Sequence, residues 1–203
     1  MALKNVLHSP RVLWALLAVP AVPMVLGLIT GFGDMDDLLE DSGVLAAQLM
    51  IAAMVISPLR LMFPKTAWTA WLIKRRRYLG VAAFGYALLH AVAYVVDMGT
   101  LKLILDELGA FGIWTGWAAF AIFVPLALTS NNLSQRLLKR RWKDLQRFVY
   151  AAAALTLVHW IFVHNELADA LAYFVPLAAL EIYRIHKTWR RPNRVAPQPY
   201  EAN

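Results

Sequence analysis

Two stretches decide the fold: VAAFGYALLHAVAYVV (81–96) and FVYAAAALTLVHWIFV (148–163). Each is an apolar run that carries one ionisable side chain, His90 in the first and His159 in the second. Neither run alternates in the way a membrane strand would, and each reads as the heart of a helix about 20 residues long, enough to cross the hydrocarbon of a bilayer. A polar residue at that depth is costly, so it usually marks a site with a partner.

Four further segments of the same kind surround them, giving six in all: 12–31, 43–63, 78–96, 110–129, 145–163 and 167–185. The whole chain of 203 residues is 60% hydrophobic and only 16% charged, where soluble domains carry about 25% charge. It contains no cysteine, which excludes disulfides, thiolate-bound iron–sulfur clusters and covalent haem attachment. The expected class is all-α, an integral membrane bundle of six transmembrane helices. A short N-terminus (1–11) precedes the bundle domain (12–185), and a basic, disordered tail (186–203) follows it. Pro20 and Pro23 predict a kink in the first helix.

The net charge of +7 is sorted by loop. Asp34, Asp36, Asp37, Glu40 and Asp41 fall in the first loop, Asp97, Asp106 and Glu107 in the third, Glu166 and Asp169 in the fifth. Lysine and arginine fill the second and fourth loops and the tail, and of 20 such residues only Lys102 lies on the acidic side. The positive-inside rule then places both termini in the cytoplasm. The basic excess is a topology signal and a collar for membrane lipid; no nucleic-acid reader accompanies it.

Counting from the cytoplasmic ends at Tyr78 and Leu145, His90 stands about 18 Å up its helix and His159 about 21 Å up its own. Two imidazoles at matching depth on parallel helices suit a metal ion or a haem iron held between them. The alternative is two separate histidines, each hydrogen-bonded inside the bundle. Zinc is disfavoured, since it wants three or four protein ligands and no third acidic or histidine side chain lies at that depth. Gly80, Ala83, Gly85, Ala87 and the alanines 151–154 would admit a flat macrocycle, or serve plain helix packing. His164 reads as an interfacial histidine, with a quinone-site or docking role as the sharper option. Gly112 and Gly116 form a G-x-x-x-G of close packing.

KRRRYLGVAAFGYALLH (74–90), with R-R-x-L-G and Y-A-x-x-H, and LALTSNNLSQRLLKRRWKDLQRFVYAAAALTLVHW (126–160), with L-x-L-T-S and W-x-x-L-x-R-x-V-Y, resemble the MsrQ (YedZ) proteins of the ferric-reductase-like transmembrane superfamily. ISPLR (56–60) is similar to that family's T-P-L-R. The resemblance covers roughly 45–185 and implies a haem b subunit of the bacterial inner membrane. Such a subunit takes electrons from the quinone pool or a cytoplasmic flavin reductase. It passes them to a periplasmic molybdopterin reductase, MsrP-like, that repairs oxidised methionines. His90 and His159 would be the axial ligands.

The family has another histidine thirteen residues before the one matching His159; this chain has Gln146. One haem is therefore expected, and a second loses its ligand. Gln146 is either a hydrogen-bond partner for quinone or FMN or a polar residue at a helix entrance. Arg75, Arg76 and Arg77 are either partners for haem propionates or a flavin phosphate, or a positive-inside anchor. The basic segment from Ser130 to Trp142 is expected on the membrane surface, with Ser and Asn as helix caps.

No G-x-G-x-x-G follows a strand, so the chain is expected to work as an electron-transfer subunit and not as a complete reductase. The competing readings are a cytochrome b serving another periplasmic acceptor and a haem-free membrane scaffold or assembly subunit. A transporter would show inverted repeats and broken midplane helices, and neither is visible.

Overall fold

The computed structural model describes residues 9–164 and 167–189. The expectations for residues 1–8 of the N-terminus, for Glu166 and for 190–203 lie outside the described residues. Every regular element among the described residues is a helix. They are α1 (Pro10–Ala18), α2 (Ala21–Thr30), α3 (Met35–Met62), α4 (Ala67–Met98), α5 (Leu101–Glu107), α6 (Phe111–Leu128), α7 (Asn132–Leu138), α8 (Arg140–Gln146), α9 (Val149–His164) and α10 (Leu167–Trp189).

The first span is broken where the prolines predicted, between Ala18 and Ala21. An unbroken helix would bond the Ala21 N–H to the Leu17 carbonyl. Here the hydroxyl of Tyr86, on α4, stands between them. It accepts from the Ala21 N–H at 3.1 Å and donates to the Leu17 carbonyl at 2.7 Å. A side chain inserted into the helical ladder is a recognised cause of a kink. Gly31, in the left-handed conformation at φ 74°, ends α2.

Helix α3 starts on a capping box. The Asp34 carboxylate accepts from the Asp37 N–H at 2.9 Å, and that of Asp37 accepts from the Asp34 N–H at 3.3 Å. Asp36 and Asp37 in the first turn suit the helix dipole. At the other end Arg60 donates to the Thr66 carbonyl (3.2 Å) and to Thr69 Oγ1 (2.9 Å), knotting the turn into α4. Asn131 caps α7 by accepting from the Ser134 N–H at 2.8 Å, as expected for that segment.

Helix α4 runs for 32 residues, about 48 Å, so its Lys74–Arg77 end reaches beyond the hydrocarbon. The most extensive helix contacts pair α3 with α4 and α6 with α9, and α10 lies against α3. Met50, Met54, Ala83, Ala153, Trp160 and Phe174 form the shared core. Large apolar side chains such as Ile29, Val96, Phe162 and Ile182 face outward, as lipid contact requires.

Among the described residues five helices are long and apolar enough to cross a membrane: Pro10–Thr30, Met35–Met62, Ala67–Met98, Phe111–Leu128 and Arg140–His164. The chain is a multi-pass membrane protein with a helical bundle. The sixth expected span, α10, is long enough at 23 residues, about 35 Å. It differs from the others in that Asp169, Glu181, Arg184 and Lys187 are spread so that every 18-residue stretch of it carries three charges. It also continues through Trp189, past the expected start of the tail at 186.

Tyr86 is 5% exposed, so removing its hydroxyl strands two backbone groups in the bundle. Tyr86→Phe should destabilise the protein by about 1–3 kcal/mol. It should also speed hydrogen exchange at the Ala21 amide, read by mass spectrometry in detergent. Wild-type protection at Ala21 would show that the hydroxyl does not hold the break.

Candidate functional site

His90 on α4 and His159 on α9 face each other with ring centres 6.0 Å apart and planes at 80°. Each imidazole is anchored through the same atom. Nδ1 of His90 lies 2.8 Å from the Leu39 carbonyl on α3, and Nδ1 of His159 lies 2.8 Å from the Gly112 carbonyl on α6. A carbonyl only accepts, so Nδ1 is the protonated nitrogen in both rings. Nε2 of each neutral imidazole then carries a lone pair, and among the described residues no group bonds to it. This is the arrangement that orients a metal-binding histidine.

The separation also fits one metal. With a metal–nitrogen bond of about 2 Å on each side, plus the half-width of each ring, two imidazoles sharing one ion have centres about 6 Å apart. The rings border a cleft between α3, α4, α6 and α9, walled mainly by apolar groups such as Val44, Ala87, Ile113, Phe120 and Trp160. The hydroxyl of Thr156, in the same wall, is turned back to the Ala152 carbonyl at 2.9 Å. Tyr94 at the outer end donates to Glu107 at 2.8 Å, tying α5 to the mouth. His164 is half-buried and borders this cleft too, 6.3 Å from the Trp160 ring, so it belongs to the mouth of the site. Among the described residues no three His, Cys, Asp or Glu side chains converge on a metal position.

Arg76, Arg77 and Gln146 do not join the two histidines. They border a second, larger cavity toward the basic end, with Trp14, Tyr78, Trp142, Lys143, Tyr150 and Arg184. Each is also held by protein. Arg76 donates to Ser57 Oγ at 2.9 Å; Arg77 donates to Asn132 Oδ1 at 2.6 Å and Gln135 Oε1 at 3.3 Å. Gln146 Nε2 donates to the Leu126 carbonyl (3.1 Å) and Thr129 Oγ1 (3.2 Å). Arg75 lies over the Trp71 ring, 4.1 Å from its centre. Met50 and Phe123 border both cavities and so separate them.

Two features have no counterpart in the sequence reading. The first is the pair of carbonyl anchors, which carry no letter of their own. The second is Glu181 on α10, 8% exposed. Its Oε2 pairs with Arg184 Nε at 2.9 Å and accepts from Tyr150, while Arg184 also donates to Tyr150. Its Oε1 is buried with no partner among the described residues. The i,i+3 spacing of Glu181 and Arg184 was the signal available for it. Gly80 and Gly85, read as room for a macrocycle, have nothing close to them.

Comparison with known proteins agrees with this geometry. Residues 42–168 match the family described as ferric reductase like transmembrane component, a stretch that holds both histidines. The chain is 36% identical over 161 residues to the protein-methionine-sulfoxide reductase heme-binding subunit MsrQ of Brucella ovis, covering 77% of this chain and 71% of that relative. The chain belongs to the MsrQ family. The MsrQ subunits of Brucella canis and Brucella suis match with the same identity and coverage. No solved structure matches.

Because Arg77 holds two amides of α7, Arg77→Ala should loosen the 131–139 segment. Limited trypsin cleavage at Arg136 and Lys139 in detergent should become several times faster, with the helical bundle intact by circular dichroism. Unchanged cleavage would mean that Arg77 does not tether α7.

Proposed function

We propose that this chain is the haem b electron-transfer subunit of an MsrPQ-type methionine sulfoxide reductase system, with His90 and His159 as the axial ligands. One observation carries the reading: two imidazoles, ring centres 6.0 Å apart, each anchored through Nδ1 and bordering a mainly apolar cleft. The name of the Brucella relatives, heme-binding subunit MsrQ, supports it. When bound, haem b supplies a one-electron iron couple whose potential the axial ligands and their hydrogen bonds tune.

The chain's own groups divide the remaining work. The Leu39 and Gly112 carbonyls fix the tautomer of each ligand and strengthen its donation. The apolar walls exclude water. The basic cavity, with Arg76, Arg77 and Arg184 on its rim and Trp14, Tyr78 and Trp142 in its walls, suits an anionic or aromatic electron donor. A quinol, or FMN on a cytoplasmic reductase, has that character. A second bis-histidine haem does not fit there, since among the described residues no histidine borders the cavity and Gln146 is spent on Leu126 and Thr129. The outer end, with Asp106 and Glu107 on the α5 segment, is the side from which an MsrP-like acceptor draws electrons.

The test is spectroscopic. Protein purified after haem-replete expression should show a b-type reduced-minus-oxidised spectrum with one haem per chain. That signal should be lost in His90→Ala and in His159→Ala. Haem-free wild-type protein would overturn the function, and two haems per chain would overturn the single site.

A further inference from the structure

The anchors of His90 and His159 are built the same way on two different helices. The accepting carbonyl belongs to Leu39 on α3 and to Gly112 on α6. Four residues on, along the same helix face, stand Gly43 and Gly116. A Cβ built on Gly43 would lie 2.9 Å from His90 Nδ1 and 3.1 Å from its Cε1. One built on Gly116 would lie 2.6 Å from His159 Nδ1 and 2.7 Å from its Cε1. Both distances to Nδ1 are shorter than such atoms approach unless one moves. The ring that would have to move is the one tethered by a 2.8 Å hydrogen bond, so moving it breaks the anchor. By contrast Gly80 and Gly85, on the histidine's own helix, have nothing within 4 Å.

We propose that Gly43 and Gly116 are positioning residues for metal ligation: each opens a notch in which one imidazole lies flat enough to reach the carbonyl a turn earlier. The notch sets the ring's rotation and tautomer before any haem arrives. It thereby aims Nε2 into the cleft from α4 and from α9. The proposal rests on the haem reading for its ligand and adds two residues, Gly43 and Gly116, that border the cleft beside the imidazoles. The contacts rank the two notches, with that of Gly116 the tighter.

The test compares Gly43→Ala and Gly116→Ala with Gly85→Ala in full-length protein. Both notch variants should lose haem affinity by about tenfold or more, as loss of a ligand's outer hydrogen bond does, with Gly116→Ala the worse. Haem that remains should have a higher midpoint potential, because a weaker-donating imidazole stabilises the ferric state less. Its low-spin electron paramagnetic resonance signal should shift as the 80° ring angle is lost. Gly85→Ala should match wild type in all three.

A reading that needs no haem comes from the double-mutant cycle with His159→Ala. With the ring gone, Gly116→Ala should no longer destabilise the detergent-solubilised protein. Should Gly116→Ala alone fail to fold, recovery of a folded Gly116→Ala/His159→Ala protein gives the same answer. Wild-type affinity, potential and resonance in both notch variants would overturn the proposal, as would an equal stability loss with and without His159. Haem-free wild-type protein would sink the haem reading while leaving the cycle to judge the notches.

Discussion

Inside a hydrocarbon layer there is no water to satisfy an N–H or a hydroxyl, so each must find its acceptor within the protein, on its own helix or a neighbouring one. That constraint organises this molecule. The Tyr86 hydroxyl fills the break in the first span, taking one backbone group and serving another. Ser42 and Thr115, both buried, turn their hydroxyls back to carbonyls one turn earlier. The imidazoles obey the same rule with Nδ1. What distinguishes them is the atom left over. Nε2 is an acceptor to which no donor among the described residues bonds, and such an atom can ligate a metal.

The two cavities use the constraint differently. Around the histidines the wall is mainly apolar, and the two imidazoles are anchored in it through Nδ1. At the basic end several cations crowd a larger space, and three of them are steadied by side chains: Arg76 by Ser57, Arg77 by Asn132, Arg184 by Glu181. Charge in one half and neutrality in the other would be incompatible if the two were continuous. Met50 and Phe123 stand between them. The stacked pair Phe84 and Phe120, 5.8 Å apart, reaches from the basic cavity to the cleft. The barrier is therefore thin and polarisable, closed to water yet short for an electron.

Much of this was legible in the residues. Apolar length gave the spans, Pro20 the break, and counting along the helices brought His90 and His159 to one depth. The missing part has a common cause. A linear pattern says which face of a helix is apolar but not which residue on the next helix it meets. Gly80 and Gly85 precede His90 in sequence and read as room for a macrocycle or as plain packing, whereas Gly43 lies against His90 in space. Gly112 and Gly116 read as a packing motif, and they do bring α6 close to α9. Their second use, a carbonyl and a gap for His159, depends on a partner almost fifty positions away. Arg77 read as a partner for a propionate or phosphate or as a positive-inside anchor; its tie to α7 left no signal because its acceptors, Asn132 and Gln135, are uncharged. Helix α10 read as a sixth span of the ordinary kind. Its Glu181 is tolerated because Arg184 and Tyr150 meet it at once.

The contrast between His159 and Gln146 shows why chemistry, and not depth alone, separates the two ends. Both side chains spend a nitrogen on a carbonyl of α6: Nδ1 of His159 on Gly112, Nε2 of Gln146 on Leu126. An imidazole anchored through one nitrogen keeps a second that is soft enough and basic enough to bind iron. An amide anchored through its nitrogen keeps only a carbonyl oxygen, a hard and weak donor to iron but a good acceptor of an O–H or N–H. The same anchoring step therefore leaves a nitrogen able to bind a metal at one end of the bundle and a hydrogen-bond acceptor at the other. A hydroquinone or a reduced flavin presents such donors, and a porphyrin iron does not.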